Sequence, residues 1–368
     1  MSTLLAVDQV GLKSLDILPA SKNPLSSGMH TGELHGVKSH PDLGDLHHFS
    51  APSGELGRLL KPVLWIWGGS KHSGVACMAL SSLAYSVMGL AVKLLAGAKI
   101  PSSETVLVRC AIIALLSGYG LQKQKHPLLG SPGVRHLVLA RAIIGFFALS
   151  AFFYSIQALP LRDATVLNFT MPVMTAMMAA VFLGEAWGSR EVAGTICSLV
   201  GVLLVTQPDI LFGKPKLLQG ANERKGSEET LGVFMAIGGS ALGAASYIVL
   251  RVVGKTGEPP LVCVFAFAAF SAPMAAVGML FQPFAVPSAW EWFELVVVGL
   301  SAFAAQVLLN RGLQLEKASK ATAIQYVKIL VTYLFGVIFL HEVPSFLGVV
   351  GACLIAASAA FVTLGAGH

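Results

Sequence analysis

Apolar stretches of 18 or more residues recur along this chain from about Ser73 to its C-terminus. Each is long enough to cross a hydrocarbon core of roughly 30 Å as a helix. The chain is 55% hydrophobic and only 12% charged, and these runs lack the alternation of a membrane strand. We therefore predict an all-α polytopic membrane protein with about ten transmembrane helices. The predicted spans are 73–95, 103–121, 136–158, 164–183, 190–206, 231–252, 260–281, 291–312, 321–340 and 345–364.

One of these segments occurs twice. The helix beginning Ala164-Thr165 and ending at Glu185 returns, about 157 residues later, as the helix beginning Ala321-Thr322 and ending at Glu342. Tyr and Lys also recur eight residues apart in the first span of each half. Internal duplication of membrane helices is typical of transporters that bind substrate between two halves. The pairs related by the duplication are Ala164/Ala321, Thr165/Thr322, Thr175/Thr332, Phe182/Phe339, Glu185/Glu342, Gly194/Gly351, Tyr85/Tyr247 and Lys93/Lys255.

The duplication divides the chain into two halves, 73–206 and 231–364, each with five predicted helices. Five is an odd number, so the second half enters the membrane inverted with respect to the first. A polar segment, 207–230, is the predicted extracytosolic linker. Residues 1–70 have no sustained apolar period, and we predict a disordered cytoplasmic tail. Lys and Arg concentrate at the links that share a side with this tail, which predicts that both termini are cytoplasmic.

The fourth span resembles a known signature. The sequence Leu159-Pro160-Leu161-Arg162-Asp163-Ala164-Thr165-Val166-Leu167-Asn168, followed by Met171-Pro172-Val173, is similar to that of the EamA-type drug/metabolite transporter superfamily, and particularly to the G branch of solute-carrier family 35. The resemblance covers about residues 73–364. It implies two inverted repeats, and a central cavity lined by the duplicated helices. The second copy has Ile329 where the first has Pro172, so proline predicts no matching bend there.

Three basic residues lie inside predicted spans. Lys328 lies seven or eight residues into span nine, where a charge costs at least about 2.5–3.5 kcal/mol. Arg109 and Arg141 each lie about six residues from a helix end. All three are candidate substrate-binding residues for an anion, and relatives that carry anions use basic residues in the ninth helix. The alternatives are a structural ion pair or a side chain that reaches the membrane interface for Lys328, and side chains that reach the interface for the arginines.

Neutral polar residues on the duplicated helices are further candidates. Asn168 aligns with Gln325, and Tyr326 follows, so these residues are predicted to bind substrate by hydrogen bonds. Hydrogen bonds between helices are the alternative. Pro172 is predicted to kink span four and to act as a hinge, with a static kink as the alternative.

The leading functional prediction is a secondary transporter of a small organic metabolite, an anion such as a carboxylate or phosphate, working by alternating access. An exporter of neutral or cationic metabolites is the alternative. An intramembrane enzyme or a regulator that does not transport is less favoured, because no HExxH or Walker A motif occurs. We predict no catalytic residues, metal or cofactor. The predicted partners are a small-molecule substrate and the lipid bilayer, without nucleic acid, and a homodimer is left open. The membrane is left open too: plasma membrane, Golgi or ER, or plastid.

Overall fold

The computed structural model describes residues 72–95, 100–208, 211, 223–280, 286–339, 341 and 343–364. Within these residues the regular structure is entirely helical. Twelve helices are resolved there, and we number them in chain order. They are α1 Ser73–Leu95, α2 Ser102–Lys123, α3 Arg135–Ala158, α4 Leu161–Asn168, α5 Met171–Leu183, α6 Ser189–Thr206, α7 Glu223–Lys255, α8 Pro260–Met279, α9 Ala289–Leu315, α10 Ala318–Ile324, α11 Val327–Phe339 and α12 Phe346–Leu364.

These helices make ten segments that are long and apolar enough to cross a membrane. The ten predicted spans and the all-α fold class are therefore confirmed. Helix α7 begins at Glu223, which lies inside the range predicted as linker. The predicted tail, most of the linker and Glu342 lie outside the described residues.

The fourth and ninth spans are each built from two helices. The fourth consists of α4 and α5, and the ninth of α10 and α11. The first break follows Asn168 and the second follows Ile324. Under the 157-residue offset these two positions agree to within one residue. Pro172 lies in the first turn of α5. Backbone N–H groups in a first turn have no acceptor within their helix, so a proline there costs no helical hydrogen bond. Ile329 occupies the matching turn, so the two spans break at the same level although only the first has a proline there.

Side chains from neighbouring segments satisfy the carbonyl groups that the break in the fourth span exposes. The hydroxyl of Tyr326 donates to the carbonyl of Phe169 over 3.0 Å. The Ser240 hydroxyl donates to the carbonyl of Leu167 over 3.1 Å, and Thr170 donates to the same carbonyl over 2.7 Å. Irregular backbone is tolerated at membrane depth only where such partners or a wet cavity satisfy it. These hydrogen bonds satisfy carbonyl groups at a break that lies one turn before Pro172.

The two halves meet around a pseudo-two-fold axis. Phe169 and Tyr326 are equivalent under the 157-residue offset, and they touch each other with ring centroids 6.1 Å apart. Two equivalent residues can touch only where the axis passes between them. The helix pairs obey the same symmetry: α1 packs on α9 as α7 packs on α3, and α1 packs on α11 as α7 packs on α5.

Helices α6 and α12 cross on this axis at very short range. The Ser358 hydroxyl donates to the carbonyl of Gly194 over 2.6 Å. The symmetry-related contact joins Gly351 to Gly201, where a Cβ on Gly351 would lie 2.5 Å from the carbonyl oxygen of Gly201. Small residues allow this approach, as is usual between membrane helices. The pair forms the tightly packed side of the bundle, and the cavity described below lies among the other spans.

Candidate functional site

A cavity of about 260 Å³ lies between the two halves beside both helix breaks. An adjoining cavity of about 480 Å³ shares Tyr85, Asn168 and Lys328 with it. We call the first the central cavity and the second the vestibule. The vestibule extends along the C-terminal half of α1 and along α11, that is, toward the face of the bundle where both of those helices end.

Lys328 lies in the first turn of α11, directly after the break, and its side chain lines both cavities. Its Nζ lies 5.0 Å from the ring centroid of Phe169 and 5.7 Å from that of Tyr85. Aromatic faces attract a cation but do not neutralise it. Among the described residues no carboxylate forms an ion pair with Lys328.

Arg141 also reaches the central cavity. The residue is only 7% exposed, and its guanidinium carbon lies 5.1 Å from the ring centroid of Phe267. Its Nε and one terminal nitrogen are buried without a hydrogen-bond partner in the described structure, and the same holds for Nε of Arg109. Arg109 lines the central cavity as well. Buried charged donors without partners are costly, so these groups are positioned to receive an acceptor.

Gly145 makes room for the Arg141 guanidinium. Glycine lies one helical turn after the arginine on α3, and a Cβ at Gly145 would collide with the guanidinium. The same Cβ would lie 3.2 Å from the Ser246 hydroxyl oxygen, which is also buried without a partner in the described part of the chain. The absence of one side chain therefore allows Arg141 to fold back along α3 toward the cavity.

The neutral candidates separate into two groups. Asn168 and Gln325 line the central cavity, and Gln325 Nε2 donates to the Tyr247 hydroxyl over 3.1 Å. Tyr326 does not line it: this side chain is fully buried and donates to Phe169 on the pseudo-two-fold axis. Pro172 is buried in the first turn of α5, outside the residues that line the two cavities.

Sequence reasoning did not assign Tyr85, Tyr247, Gly145 or Ser246 to the site. The two tyrosines carried a signal, because each is followed eight residues later by a lysine in the first span of its half, and both line the central cavity. Gly145 and Ser246 carried none, since small residues are common wherever membrane helices pack. The lining of the two cavities includes Lys93, Arg109, Arg141 and Lys328 but no carboxylate among the described residues.

Polar contacts join several spans at the face where α1 begins and α12 ends. We call this the N-terminal face. Glu185 Oε1 accepts a hydrogen bond from Arg251 Nε over 2.9 Å, and Glu185 Oε2 accepts one from the Ala318 N–H over 2.9 Å. Arg251 also donates over 2.8 Å to each of the carbonyls of Leu313 and Gln314. The fourth, sixth and eighth spans and the start of the ninth are thereby tied together.

Local structure explains how Glu185 reaches these partners. Helix α5 ends at Gly184, which adopts a left-handed conformation with φ of +63°, and the Glu185 N–H bonds back to the carbonyl of Ala179. The turn directs the carboxylate across the face. Burial would raise the pKa of Glu185, but the Ala318 N–H and the Arg251 guanidinium outweigh it and hold the pKa below the usual range. Glu185 is therefore charged at neutral pH.

A second set of contacts joins two links at the same face. Glu258, between α7 and α8, accepts hydrogen bonds from the Ser131 N–H over 3.1 Å and from the Ser131 hydroxyl over 2.5 Å. The carboxylate also lies 3.4 Å from Nε2 of His126. Ser131 and His126 belong to the link between α2 and α3. One link from each half is thus held to the other at the N-terminal face.

No group of three or more His, Cys, Asp or Glu side chains that could hold a metal ion occurs in the described ranges. The polar groups of the cavity are instead cations, amides and hydroxyls. Such groups bind and orient a solute. Together with the inverted repeat, they describe a binding cavity within the membrane.

Comparison with known proteins agrees with this arrangement. The EamA-like transporter family matches residues 72–207 and again residues 230–364. Solute carrier family 35 member G1 of Mus musculus is 27% identical over 305 residues, which cover 79% of this chain and 78% of that protein. The pseudopaline exporter CntI of Pseudomonas aeruginosa is 29% identical over 286 residues, or 77% of this chain and 93% of the exporter.

A solved crystal structure shares the fold. It is 20% identical in sequence and superposes with a TM-score of 0.67 over 81% of this chain and 98% of that chain. The family and the names of the relatives indicate a transporter rather than an enzyme. Ten apolar spans, two matches to one family and the shared fold lead to one conclusion: the chain is a multi-pass integral membrane protein that belongs to the EamA-like transporter family, whose solute-carrier-type members move small metabolites.

Proposed function

We propose that this protein transports a small organic anion, a carboxylate or a phosphate, through the central cavity. The single observation that carries the proposal is the charge of the lining. Lys328, Arg109 and Arg141 converge on one cavity, and no carboxylate among the described residues lines it. A buried charge without a partner costs several kcal/mol, about the amount that an anionic substrate could offset on binding. Arginine in particular suits the two oxygens of a carboxylate or phosphate.

The helix breaks add to this attraction. Helix α11 is 13 residues long and begins at Val327, so the positive end of its dipole lies beside Lys328 at the cavity. Discontinuous helices in transporters direct their N-termini at anionic substrate groups. Asn168 and Gln325 supply neutral hydrogen bonds on either side of the axis. Their placement suits the remaining polar groups of the substrate.

We propose alternating access as the mechanism. The two halves are equivalent in topology and inverted in the membrane, so a rocking motion about their axis would expose the cavity to each side in turn. In this mechanism the polar contacts at the N-terminal face form the gate on one side, and the vestibule is the path to the other side. The distribution of Lys and Arg supports a cytoplasmic N-terminal face.

Uptake by purified protein in liposomes tests the proposal. Organic anions should be taken up, and neutral and cationic compounds of similar size should not. Lys328→Ala should abolish uptake at normal levels of membrane insertion, because it removes the counter-charge. Lys328→Arg should recover uptake only in part, since a guanidinium differs from an ammonium in shape and hydration. Full uptake by Lys328→Ala would reject an anionic cargo and favour a neutral or cationic one.

A further inference from the structure

The vestibule differs from the central cavity in the chemistry of its walls. The central cavity holds Arg109 and Arg141, whose buried nitrogens lack hydrogen-bond partners among the described residues. The charged residues described in the vestibule are Lys328, which it shares with the central cavity, and Lys93 in the last turn of α1. Lys328 therefore lies at the boundary between a cationic cavity and a largely apolar one. Apolar side chains form much of the remaining vestibule wall: Leu90, Phe152, Phe169, Val205, Ile329 and Phe335.

Several hydroxyl groups of the vestibule are already bonded within the protein. Ser86 donates to the carbonyl of Lys328 over 3.0 Å, and Thr332 donates to the Ser86 hydroxyl over 3.1 Å. Thr206 donates to a carbonyl of its own helix over 2.7 Å. Tyr333 differs, because its hydroxyl is buried without a partner in the described ranges. An apolar group that enters the vestibule therefore leaves most of these hydroxyls bonded and incurs little polar desolvation cost.

Three residues of α11 follow one another along the vestibule. Lys328, Thr332 and Phe335 are spaced four and three residues apart, so they lie on one face of the helix, and all three line the vestibule. From Lys328 to Phe335 the helix rises by about 10 Å, at roughly 1.5 Å per residue. A carboxylate at Lys328 with a short carbon chain and a ring behind it spans such a length.

The walls leave room for such a body. Gly89 of α1 lines the vestibule, and a Cβ built on it would meet no atom within 4 Å. The repeat does not require aromatic residues on α11, since the 157-residue offset places Phe335 on Met178 and Tyr333 on Ala176. The aromatic wall therefore belongs to the second half and not to the scaffold that the two halves share.

We propose that the transported anion is amphipathic, with its acidic group in the central cavity and an apolar body that extends past Lys328 into the vestibule. This inference rests on the proposed anion transport and narrows its substrate class. The Lys328 ammonium pairs with the acidic group, and the rings of Phe169 and Phe335 pack on the body. Because burial in the vestibule removes the apolar body from water, such an anion binds more tightly than a short one of the same charge.

Binding of four matched compounds tests the proposal. Butanoate and 4-phenylbutanoate carry the same charge and differ in the ring, and butanamide and 4-phenylbutanamide are their uncharged counterparts. Isothermal titration calorimetry of the purified protein in detergent, with detergent alone as the blank, gives each Kd. 4-Phenylbutanoate should bind at least about ten-fold more tightly than butanoate, because its ring is buried. It should also bind at least about ten-fold more tightly than 4-phenylbutanamide, which offers no charge to Lys328.

Two variants locate the ring in the vestibule. Gly89→Leu fills the open space beside α1, and Phe335→Ala removes part of the aromatic wall. Each should reduce the preference for 4-phenylbutanoate over butanoate to about three-fold or less. Leu334→Ala is the matched control and should keep the full preference, because Leu334 adjoins Phe335 but is 45% exposed and lies outside the vestibule lining. Thermal unfolding of each variant checks that it is folded.

The ring and the charge fail separately in this design. Equal Kd values for butanoate and 4-phenylbutanoate would overturn the amphipathic substrate and leave anion transport standing. A full preference retained in both folded variants would overturn the vestibule as the site of the apolar body. Amides that bind as tightly as the acids would instead reject the anionic cargo itself, and with it the proposed function. Absence of binding by all four compounds would overturn the inference.

Discussion

The fourth and ninth spans share a backbone and differ in chemistry. Both break at the same level, and the axis between Phe169 and Tyr326 passes through the two breaks. Yet the residue after the break is Met171 in the first copy and, at the matching position, Lys328 in the second. The repeat has kept the geometry that forms a cavity, while the charge is present in one copy only. The shape of the cavity and the charge that would select an anion therefore depend on different residues of these helices.

The largest test of this comparison moves the charge to the other copy. Lys328→Met should lower anion uptake by at least about 100-fold, the equivalent of a lost charge-assisted contact of about 3 kcal/mol. Met171→Lys, added to it, should recover at least about a tenth of the parent activity, because Met171 also lines the central cavity. The measurement is initial uptake normalised to inserted protein. If the double variant is as inactive as Lys328→Met, the two positions do not face a common substrate.

A smaller effect is expected from the glycine that accommodates Arg141. Gly145→Ala places a Cβ where the guanidinium lies, so Arg141 must leave its position. We expect KM for the anion to rise about ten-fold, with a smaller change in maximal rate, as one charged contact is weakened. Gly133→Ala is the control, since a Cβ there would meet nothing within 4 Å. Unchanged KM in Gly145→Ala would exclude Arg141 from substrate binding.

The cause of the breaks is tested by stability. Tyr326→Phe removes the donor to the Phe169 carbonyl and should lower the free energy of unfolding by about 1–3 kcal/mol. Pro172→Ala should cost less than about 1 kcal/mol, because a first-turn proline adds little that alanine lacks. Thermal unfolding in detergent compares the two. A larger loss of stability in Pro172→Ala than in Tyr326→Phe would indicate that the proline causes the break, as the predicted hinge requires.

The smallest expected effect concerns the ends of the two spans. Gly184 and His341 are equivalent, and both have positive φ, at 63° and 52°. Only glycine adopts this region without steric cost. Gly184→Ala should therefore lower stability by about 1 kcal/mol, whereas His341→Gly should leave it unchanged or raise it by up to about 1 kcal/mol. A loss of stability in Gly184→Ala and a gain in His341→Gly, measured in the same unfolding assay, would show that the two span ends differ in backbone strain at these positions.

The fold was predictable because each span carries its own signal. An apolar run of sufficient length predicts a span wherever it occurs, and the repeat predicts the pairing of the halves. The break at Gln325 was not predictable from local sequence, since it depends on contacts with other segments and not on a proline. From the sequence, Arg251 contributed only to the predicted orientation in the membrane. Its contact with Glu185 was not foreseen, because the two residues lie 66 positions apart along the chain.

The candidate site was predictable in its charges and less so in its surroundings. Lys328 and Arg141 were conspicuous because charge is expensive within a membrane span. Tyr326 was a candidate because it follows Gln325, but consecutive residues on a helix point about 100° apart. The structure accordingly directs Gln325 to the cavity and Tyr326 to the axis. Which polar residue of a pair faces the substrate depends on helix rotation, and only packing determines that.

The accessibility of the two equivalent cavity residues is the most direct test of alternating access between the repeats. Asn168→Cys and Gln325→Cys are made one at a time in a parent protein whose five native cysteines are replaced by serine. A small polar thiol reagent is then applied from each side of the membrane. Alternating access between the repeats predicts that both cysteines react, from different sides in different states, and that a transported anion protects both. A cysteine that stays inert at one of the two positions under every condition would show that only one half forms the cavity, and would contradict alternating access between the repeats.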